Sequence, residues 1–169
     1  SARNIEPFFE HHAELPVLAF GSSTAKVFIG SLGSAVSPAK VFTPLVGAEL
    51  QVSGEFELPL NPSYEHGILV VSGDVTVNGS QVAVDELIYL PVGETATVSG
   101  NGVALLLGGE PFKEHIVMWW NFIGRSHSEI VAWRDAWNEQ RSEWVDFEDE
   151  VGGWIPAPAL PNVTLQPRS

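Results

Sequence analysis

Cysteine is absent from the 169 residues, which excludes disulfide bonds and thiolate metal ligands. The absence also agrees with a cytoplasmic location, which is the one we expect. Methionine is nearly absent, since Met118 is the only one and the chain begins at Ser1. A translated protein starts with methionine, so we expect that this chain was processed, trimmed or cut from a longer one.

Long hydrophobic runs and basic residues are also scarce. No apolar run could cross a bilayer, and the N-terminus has neither the basic nor the apolar region of a secretory signal. The 8 Lys and Arg residues are outnumbered by 21 Asp and Glu residues, which gives a net charge of −13. Such a surface repels phosphate backbones and anionic lipids, so we expect neither nucleic acid nor a membrane as a direct partner.

The acidic residues are unevenly distributed and cluster in the segment EWVDFEDE. The cluster consists of Glu143, Asp146, Glu148, Asp149 and Glu150. It is either a solvated tail or a docking surface for a basic protein partner.

The region from Val17 to Gly109 has the patterns of β-strands. Short segments rich in Val, Leu and Ile are bounded by Gly, Pro, Asn or Ser: KVFIGSL, ELQVSGEFELPL, GILVVSGDVTV, QVAVDELIYLPV, TATV and VALLLGG. The pair Asn78-Gly79 predicts a type I′ hairpin turn, and SGNG at 99–102 predicts another tight connection. No helical pattern separates the strands, which favours an antiparallel sandwich or barrel over parallel βαβ units.

A helical pattern begins at Ser126 and continues to about residue 141. Ser126 and Glu129 form the spacing of a capping box, which satisfies free amide groups at a helix N-terminus. Ile130, Trp133 and Trp137 lie on one face, which we expect to cover the barrel. The closing segment GGWIPAPALPNVTLQPRS is rich in proline and is expected to be extended along the surface.

These patterns predict an all-β fold, a jelly-roll-like double-stranded β-barrel or sandwich, with one C-terminal helix and an extended tail. The predicted divisions are a lead-in over 1–16, the barrel over 17–124, the helix over 125–145, and an acidic, then proline-rich, tail over 146–169.

His66 lies near the start of the predicted hairpin, within NPSYEHGILVVSGDVTVNG. The spacing around it resembles the first metal-binding motif of cupin proteins, which is Gly, five residues, His-x-His, three or four residues, Glu, six residues, Gly. The two glycines of that motif fall on Gly54 and Gly73, and its glutamate falls on His66. Its two histidine positions hold Leu60 and Pro62.

The second cupin motif also has its spacing without its ligand. Pro91 and Gly93 are in register in LPVGETATVSG. The leading glycine position holds Asp85, the histidine position Ala96 and the asparagine position Gly100. A divalent metal needs three or four converging nitrogen, oxygen or sulfur donors. Leu60, Pro62 and Ala96 offer none, so we predict no metal here and identify no catalytic residue.

His66 by itself is then either a satisfied barrel histidine or a polar group in a small cavity, with a residual role in ligand binding as the alternative. A second candidate is the aromatic segment around Trp119 and Trp120. Aromatic clusters bind flat ligands or partners, but they more commonly fill cores and interfaces, which is the interpretation that we favour.

The segment GGEPFKEHIVMWWNFIGRSHSEI and the closing IPAPALPNVTLQP resemble the pirin family, in particular its bacterial members. The resemblance extends over nearly the whole chain and is to the C-terminal half of a bicupin. It implies that iron or another divalent metal is held by the N-terminal cupin, which is absent from this sequence. It further implies that this half carries no cofactor of its own.

Three hypotheses for function follow. The first is a metal-free structural or interaction half whose partner is the missing N-terminal cupin. The second is a part of a quercetin 2,3-dioxygenase-type enzyme whose metal lies in that N-terminal cupin. The third is a module that binds a small ligand or a protein. Because a half-molecule exposes the face that its partner would cover, we also expect some self-association.

Overall fold

The computed structural model describes residues 8–139 and 155–167. The chain divides into two compact units, Ser1–Pro111 and Phe112–Ser169. Within the described ranges, no helix is both long enough and apolar enough to cross a membrane.

The first unit is built from eight antiparallel strands. They are β1 (Val17–Phe20), β2 (Ser23–Leu32), β3 (Ala35–Val36), β4 (Leu45–Leu58), β5 (Glu65–Val77), β6 (Ser80–Val82), β7 (Leu87–Leu90) and β8 (Ala96–Gly109). Their spatial order is β1-β2-β4-β8-β5-β6, while β3 pairs with β2 and β7 pairs with β5. The sheet does not close into a barrel, so the predicted all-β fold is confirmed in its sandwich form.

The core is formed by inward-facing residues of the sheet, most of them on the long strands β4, β5 and β8. In one cross-strand row Ala48, Leu106 and Ile68 are neighbours, and all three are fully buried. Leucine and isoleucine at such positions each contribute about 1.5–3 kcal/mol through burial. Residues from both ends of these strands belong to this one core.

A β-bulge in β5 keeps its two ends directed into that core. The register of β5 against β8 shifts between Val70 and Ser72. Before the bulge Ile68 and Val70 are buried, and after it Val75 and Val77 are buried, so the inward positions change from even to odd numbers. A bulge adds one residue and bends its strand, which is what this change requires.

The turn prediction at Asn78-Gly79 is confirmed, whereas the one at 99–102 is wrong. Asn78 and Gly79 have positive φ angles of 49° and 77° and connect the paired residues Val77 and Ser80. The segment SGNG lies inside β8, where Gly100 is paired with both neighbouring strands. Its φ is 123°, and a Cβ added there would lie 2.0 Å from the backbone oxygen of Asp74. Gly100 therefore allows a close crossing within a strand and does not end the strand.

The second unit contains a hairpin, β9 (Val117–Trp119) and β10 (Phe122–Gly124), and the helix α1 (His127–Asn138). The amide of Glu129 donates to Oγ of Ser126 at 3.2 Å, which confirms the predicted cap. The Glu129 carboxylate accepts from the amide of Arg125 at 2.6 Å, one residue before the position that a capping box predicts. Ile130 is fully buried, and the Trp133 ring packs against Gly124.

The described part of the proline-rich tail, residues 155–167, runs antiparallel to α1 without regular secondary structure, which agrees with the predicted extended tail. The Asn138 side chain exchanges two hydrogen bonds with the backbone of Ala157, at 2.7 and 3.1 Å. At the other end of the helix, the amide of Leu165 donates to Nδ1 of His127 at 3.1 Å. These bonds explain how a segment with few backbone partners of its own is held in place.

The predicted division of the chain stays a prediction, as does the covering of the sandwich by α1. The hairpin 117–124, which that division assigned to the barrel, contacts α1. Residues 140–154 lie outside the described ranges, and they include the acidic cluster and the end of the predicted helix.

Replacing Gly100 by alanine tests the importance of the close crossing. We expect the free energy of unfolding to fall by about 3 kcal/mol or more, because the new Cβ adds a backbone collision to an unfavourable φ. Gly79→Ala is the matched control, since its φ is also positive but its added Cβ meets nothing within 4 Å. That control should cost about 1 kcal/mol. Urea unfolding measures both, and equal losses would contradict the role of the crossing.

Candidate functional site

His66 lies on β5 between β7 and β8, and its side chain faces the core. It pairs with Leu90 of β7 on one side and with Gly108 of β8 on the other. Gly108 in turn pairs with Val46 of β4. The imidazole is therefore one member of an otherwise apolar row, and it is placed there by the two-residue alternation that buries Ile68.

Gly108 provides the space that the imidazole occupies. A Cβ added at Gly108 would lie 2.5 Å from Cδ2 of His66, which is much closer than real contacts allow. The Tyr64 ring is the nearest aromatic neighbour, with its centroid 6.1 Å from the imidazole centroid. Neither Gly108 nor Tyr64 stood out in the sequence as a neighbour of His66, because Gly108 falls within the strand segment VALLLGG and Tyr64 belongs to no motif. The only sequence signal was the pair Gly108-Gly109 at the end of a strand pattern.

Neither ring nitrogen of His66 has a hydrogen-bond partner among the described residues, although the residue is only 3% exposed. Of the two interpretations of His66, the satisfied histidine is not what the described residues show, whereas the polar group in a small cavity and the ligand-binding role stay predictions. Two other buried polar residues differ in this respect: Oγ of Ser23 accepts from the amide of Ser53, and Oγ of Ser37 donates to the carbonyl of Phe28. An unsatisfied buried polar group costs about 1–3 kcal/mol.

Burial lowers the pKa of His66 below its ordinary value, because the apolar surroundings disfavour the charged imidazolium. The carboxylate of the neighbouring residue Glu65 does not offset this lowering of the His66 pKa. Oε2 of Glu65 accepts a hydrogen bond from the Tyr89 hydroxyl at 2.8 Å, and this bond raises the pKa of Tyr89. Glu65 alternates with His66 along β5 and so faces the opposite side of the sheet. Burial therefore favours the neutral form of the His66 imidazole over the charged form.

The two cupin-like loops meet in the structure, but they bring no metal donors to His66. The amide of Gly93 donates to the carbonyl of Pro62 at 3.0 Å, so the two motif segments are neighbours. Pro62 is exposed, Leu60 packs against the core and Ala96 is fully buried. No group of three or more His, Cys, Asp or Glu residues converges within the described ranges. These residues do not fit a metal ion.

The aromatic candidates are in contact with other aromatic rings of the second unit. Trp119 stacks on Phe122 with centroids 6.5 Å apart, and Trp120 lies 5.4 Å from Phe122. Trp120 also meets the Trp137 ring edge-on at 5.9 Å. Trp120 has a φ of 50°, which is uncommon for a bulky residue and places its ring at the hairpin turn. These contacts agree with a packing role, and a ligand role for Trp119 and Trp120 stays a prediction.

Comparison with known families identifies this sandwich. The model of the Pirin C-terminal cupin domain matches residues 45–143, which is more than half of the chain. The chain belongs to the pirin family. The match includes β4, β5 and β8 and therefore the whole environment of His66 described above.

Relatives of this pirin-family chain are about twice as long. A Pseudomonas aeruginosa protein provisionally named quercetin 2,3-dioxygenase, PA1205, is 35% identical over 164 residues, which are 94% of this chain and 52% of that protein. A crystal structure of quercetin 2,3-dioxygenase from Acinetobacter baumannii superposes with a TM-score of 0.87 at 33% identity, over 95% of this chain and 56% of the other. A second structure from that organism, at 21% identity and a TM-score of 0.70, shares the fold. The chain thus spans about half the length of these relatives.

Replacing His66 by leucine in this pirin cupin domain tests the cost of the unpartnered imidazole. Unfolded His66 binds a proton near its ordinary pKa of 6.5, whereas the folded chain binds one only at lower pH. The stability from this group is therefore complete above about pH 6.5 and declines as the pH falls towards the folded-state pKa. We expect His66→Leu to remove that decline and to match or exceed the wild-type stability at neutral pH.

Urea unfolding at about pH 7.5 and about pH 5.5 measures this difference. His115→Leu, at an exposed histidine, is the control and should leave the decline in place. An equally steep loss of stability in wild type and His66→Leu would contradict the assignment.

Proposed function

We propose that this chain is the metal-free C-terminal cupin half of a longer pirin-like protein and that it has a structural and interaction role without catalysis of its own. The observation that carries the proposal is the surroundings of His66. The fold retains the frame of two cupin motifs, but the ligand positions hold Leu60, Pro62 and Ala96.

The chemistry of the donors supports this proposal. A lone imidazole supplies one ligand, whereas metal sites in proteins require about three or four. Both nitrogens of His66 are enclosed by apolar neighbours, and the carboxylate of Glu65 is bonded to Tyr89 outside the core. A metal-bound histidine ordinarily donates its second nitrogen to a carboxylate or carbonyl, and His66 has no such partner among the described residues.

An enzymatic parent is the second candidate, and the names of the relatives favour it. PA1205 and the Acinetobacter baumannii protein are named as quercetin 2,3-dioxygenases, and this chain covers only about half of each. In such a parent, iron or another divalent metal would lie in the N-terminal cupin, and this half would shape the entrance to it. The chain would then contribute to an oxygenase in a bacterial cytoplasm without binding the metal.

A ligand-binding role is the third candidate, and the unpartnered nitrogens of His66 favour it. A small polar molecule that reached His66 would satisfy a group that is otherwise costly to bury. Such binding would raise the melting temperature of the wild-type chain but not that of His66→Leu.

Metal content tests the leading proposal directly. The tag-free chain, incubated with iron, zinc, copper, nickel or manganese and then dialysed, should retain none of them stoichiometrically, because His66 is the only donor in the frame. Plasma mass spectrometry beside the intact mass gives the ratio of metal to chain. One metal per chain in the wild type that is lost in His66→Leu would overturn the proposal.

Turnover of quercetin tests whether the longer parent protein is an enzyme. When this chain is joined to an N-terminal cupin half, the second candidate predicts metal-dependent consumption of quercetin, and His66→Leu should turn over quercetin at the wild-type rate. Oxygen uptake measures the reaction. A metal-loaded full-length protein that leaves quercetin unchanged would exclude this candidate and would leave the leading proposal in place.

A further inference from the structure

The outward surface of the sheet in the first unit is divided into a polar part and an apolar part. Over β2 and β4 the outward residues include Lys26, Glu49 and Gln51. Nζ of Lys26 lies 3.7 Å from Oε1 of Glu49, and the Gln51 amide donates to the same oxygen at 3.1 Å. This part is a normal solvated face, as expected for an antiparallel sheet with one buried side.

Where β7 pairs with β5, and on the adjoining stretch of β8 at residues 105–107, the outward side chains other than Gly67 are large and apolar. The register places Leu69 beside Leu87 and Leu105, and places Gly67 between Tyr89 and Leu107. We name this surface the leucine face, and it consists of Leu69, Leu87, Tyr89, Leu105 and Leu107. Leu87, Tyr89 and Leu107 are 52%, 58% and 42% exposed, respectively, and Leu69 and Leu105 are half-buried.

The leucine face has the composition of an interface. Isolated exposed leucines are common, but adjacent leucines on the outer side of three paired strands form a contiguous apolar patch. Polar groups lie at its borders, with the Glu65–Tyr89 hydrogen bond on one side and the Lys26–Glu49 pair beyond β8. An apolar centre with a polar rim is the usual arrangement of a surface that a partner covers.

We infer that the leucine face is the surface on which the N-terminal cupin half of the parent protein docks. This inference rests on the proposed function, since it names the surface through which the non-catalytic half would act. The length comparison supports this occupant, because the relatives contain a further half of about the same size as this chain.

Size and charge favour a linked half over a second copy of this chain at the leucine face, and the self-association expected from the sequence stays a prediction. Separate proteins generally bury about 800 Å² on each side to form a stable complex, which exceeds what five side chains offer. Two halves of one polypeptide need less contact, because the linker holds them at about millimolar effective concentration. A second copy would also bring together two chains that each carry a net charge of −13.

Single cysteines test the inference, because this chain has none of its own. Leu107→Cys places a thiol on the leucine face, and Lys26→Cys places one on the polar part of the same sheet surface. Each variant is prepared as the 169-residue chain and also joined, in natural order, behind the N-terminal half of the Pseudomonas aeruginosa relative. The rate of reaction with N-ethylmaleimide is read at each site by peptide mass spectrometry.

Docking predicts that the thiol in Leu107→Cys reacts about tenfold more slowly in the joined protein than in the chain alone, since an interface core excludes solvent. The thiol in Lys26→Cys should react at the same rate in both. Leu87→Cys, on a different strand, repeats the measurement should Leu107→Cys fail to fold. The N-terminal half of the Acinetobacter baumannii protein replaces the first half if that fusion does not fold.

Three outcomes would overturn the inference. In the first, the Leu107→Cys thiol reacts at the same rate in the chain alone and in the joined protein. In the second, joining slows the thiols of Leu107→Cys and Lys26→Cys equally. In the third, the Leu107→Cys thiol of the chain alone reacts more slowly as the protein concentration rises, which would identify a second copy as the occupant. Metal content is read separately on the chain alone. Bound metal with a protected leucine face would reject the metal-free role and leave the docking surface in place. A chain that binds no metal and whose leucine face is not protected in the joined protein would reject the docking surface and leave the metal-free role in place.

Discussion

The close crossing of backbones in the middle of β4, β5 and β8 is the constraint on which the rest of the structure depends. Each of these strands must bring both of its ends to one core, so each has to bend where it passes its neighbours. Gly100 lies at that point with a φ of 123°, paired to Gly54 on one side and Val75 on the other. Any side chain at residue 100 would occupy the place of the Asp74 carbonyl, so the bend requires the smallest residue.

The position of His66 follows from that architecture. The alternation that buries Ile68 also turns residue 66 inward, whatever its chemistry, and Gly108 leaves space for the ring. The result is an imidazole without a hydrogen-bond partner among the described residues, at a position where a metal-binding cupin would collect several donors. Among the described residues the frame of the two cupin motifs is present without a converging set of donors, and this supports our proposal that this half acts through contacts.

The outer surface of the same strands fits that assignment. Inward and outward residues alternate along β5 and β8. In the leucine face the outward residues are apolar, as the inward ones are. A leucine that points into the core is buried by the fold itself. Adjacent leucines on the outer side of the sheet stay exposed to solvent unless a second surface covers them. In the role that we propose, this face holds a companion half, and the relatives that are about twice as long as this chain support that proposal.

The sequence by itself determined the features that depend on neighbours along the chain. The strand segments, the Asn78-Gly79 turn, the cap at Ser126 and the absence of donors at residues 60, 62 and 96 are local, and each could be read from residue types and spacing. Only the tertiary structure decided that SGNG bends a strand without ending it, because the partner of Gly100 is a carbonyl 26 positions earlier in the chain, at Asp74. Only the tertiary structure showed that His66 has no hydrogen-bond partner in the part of the chain that it describes, and that the leucine face points outward. A run such as VALLLGG is apolar on both sides, so its pattern cannot show which residues point inward, and that is settled by pairing with distant strands.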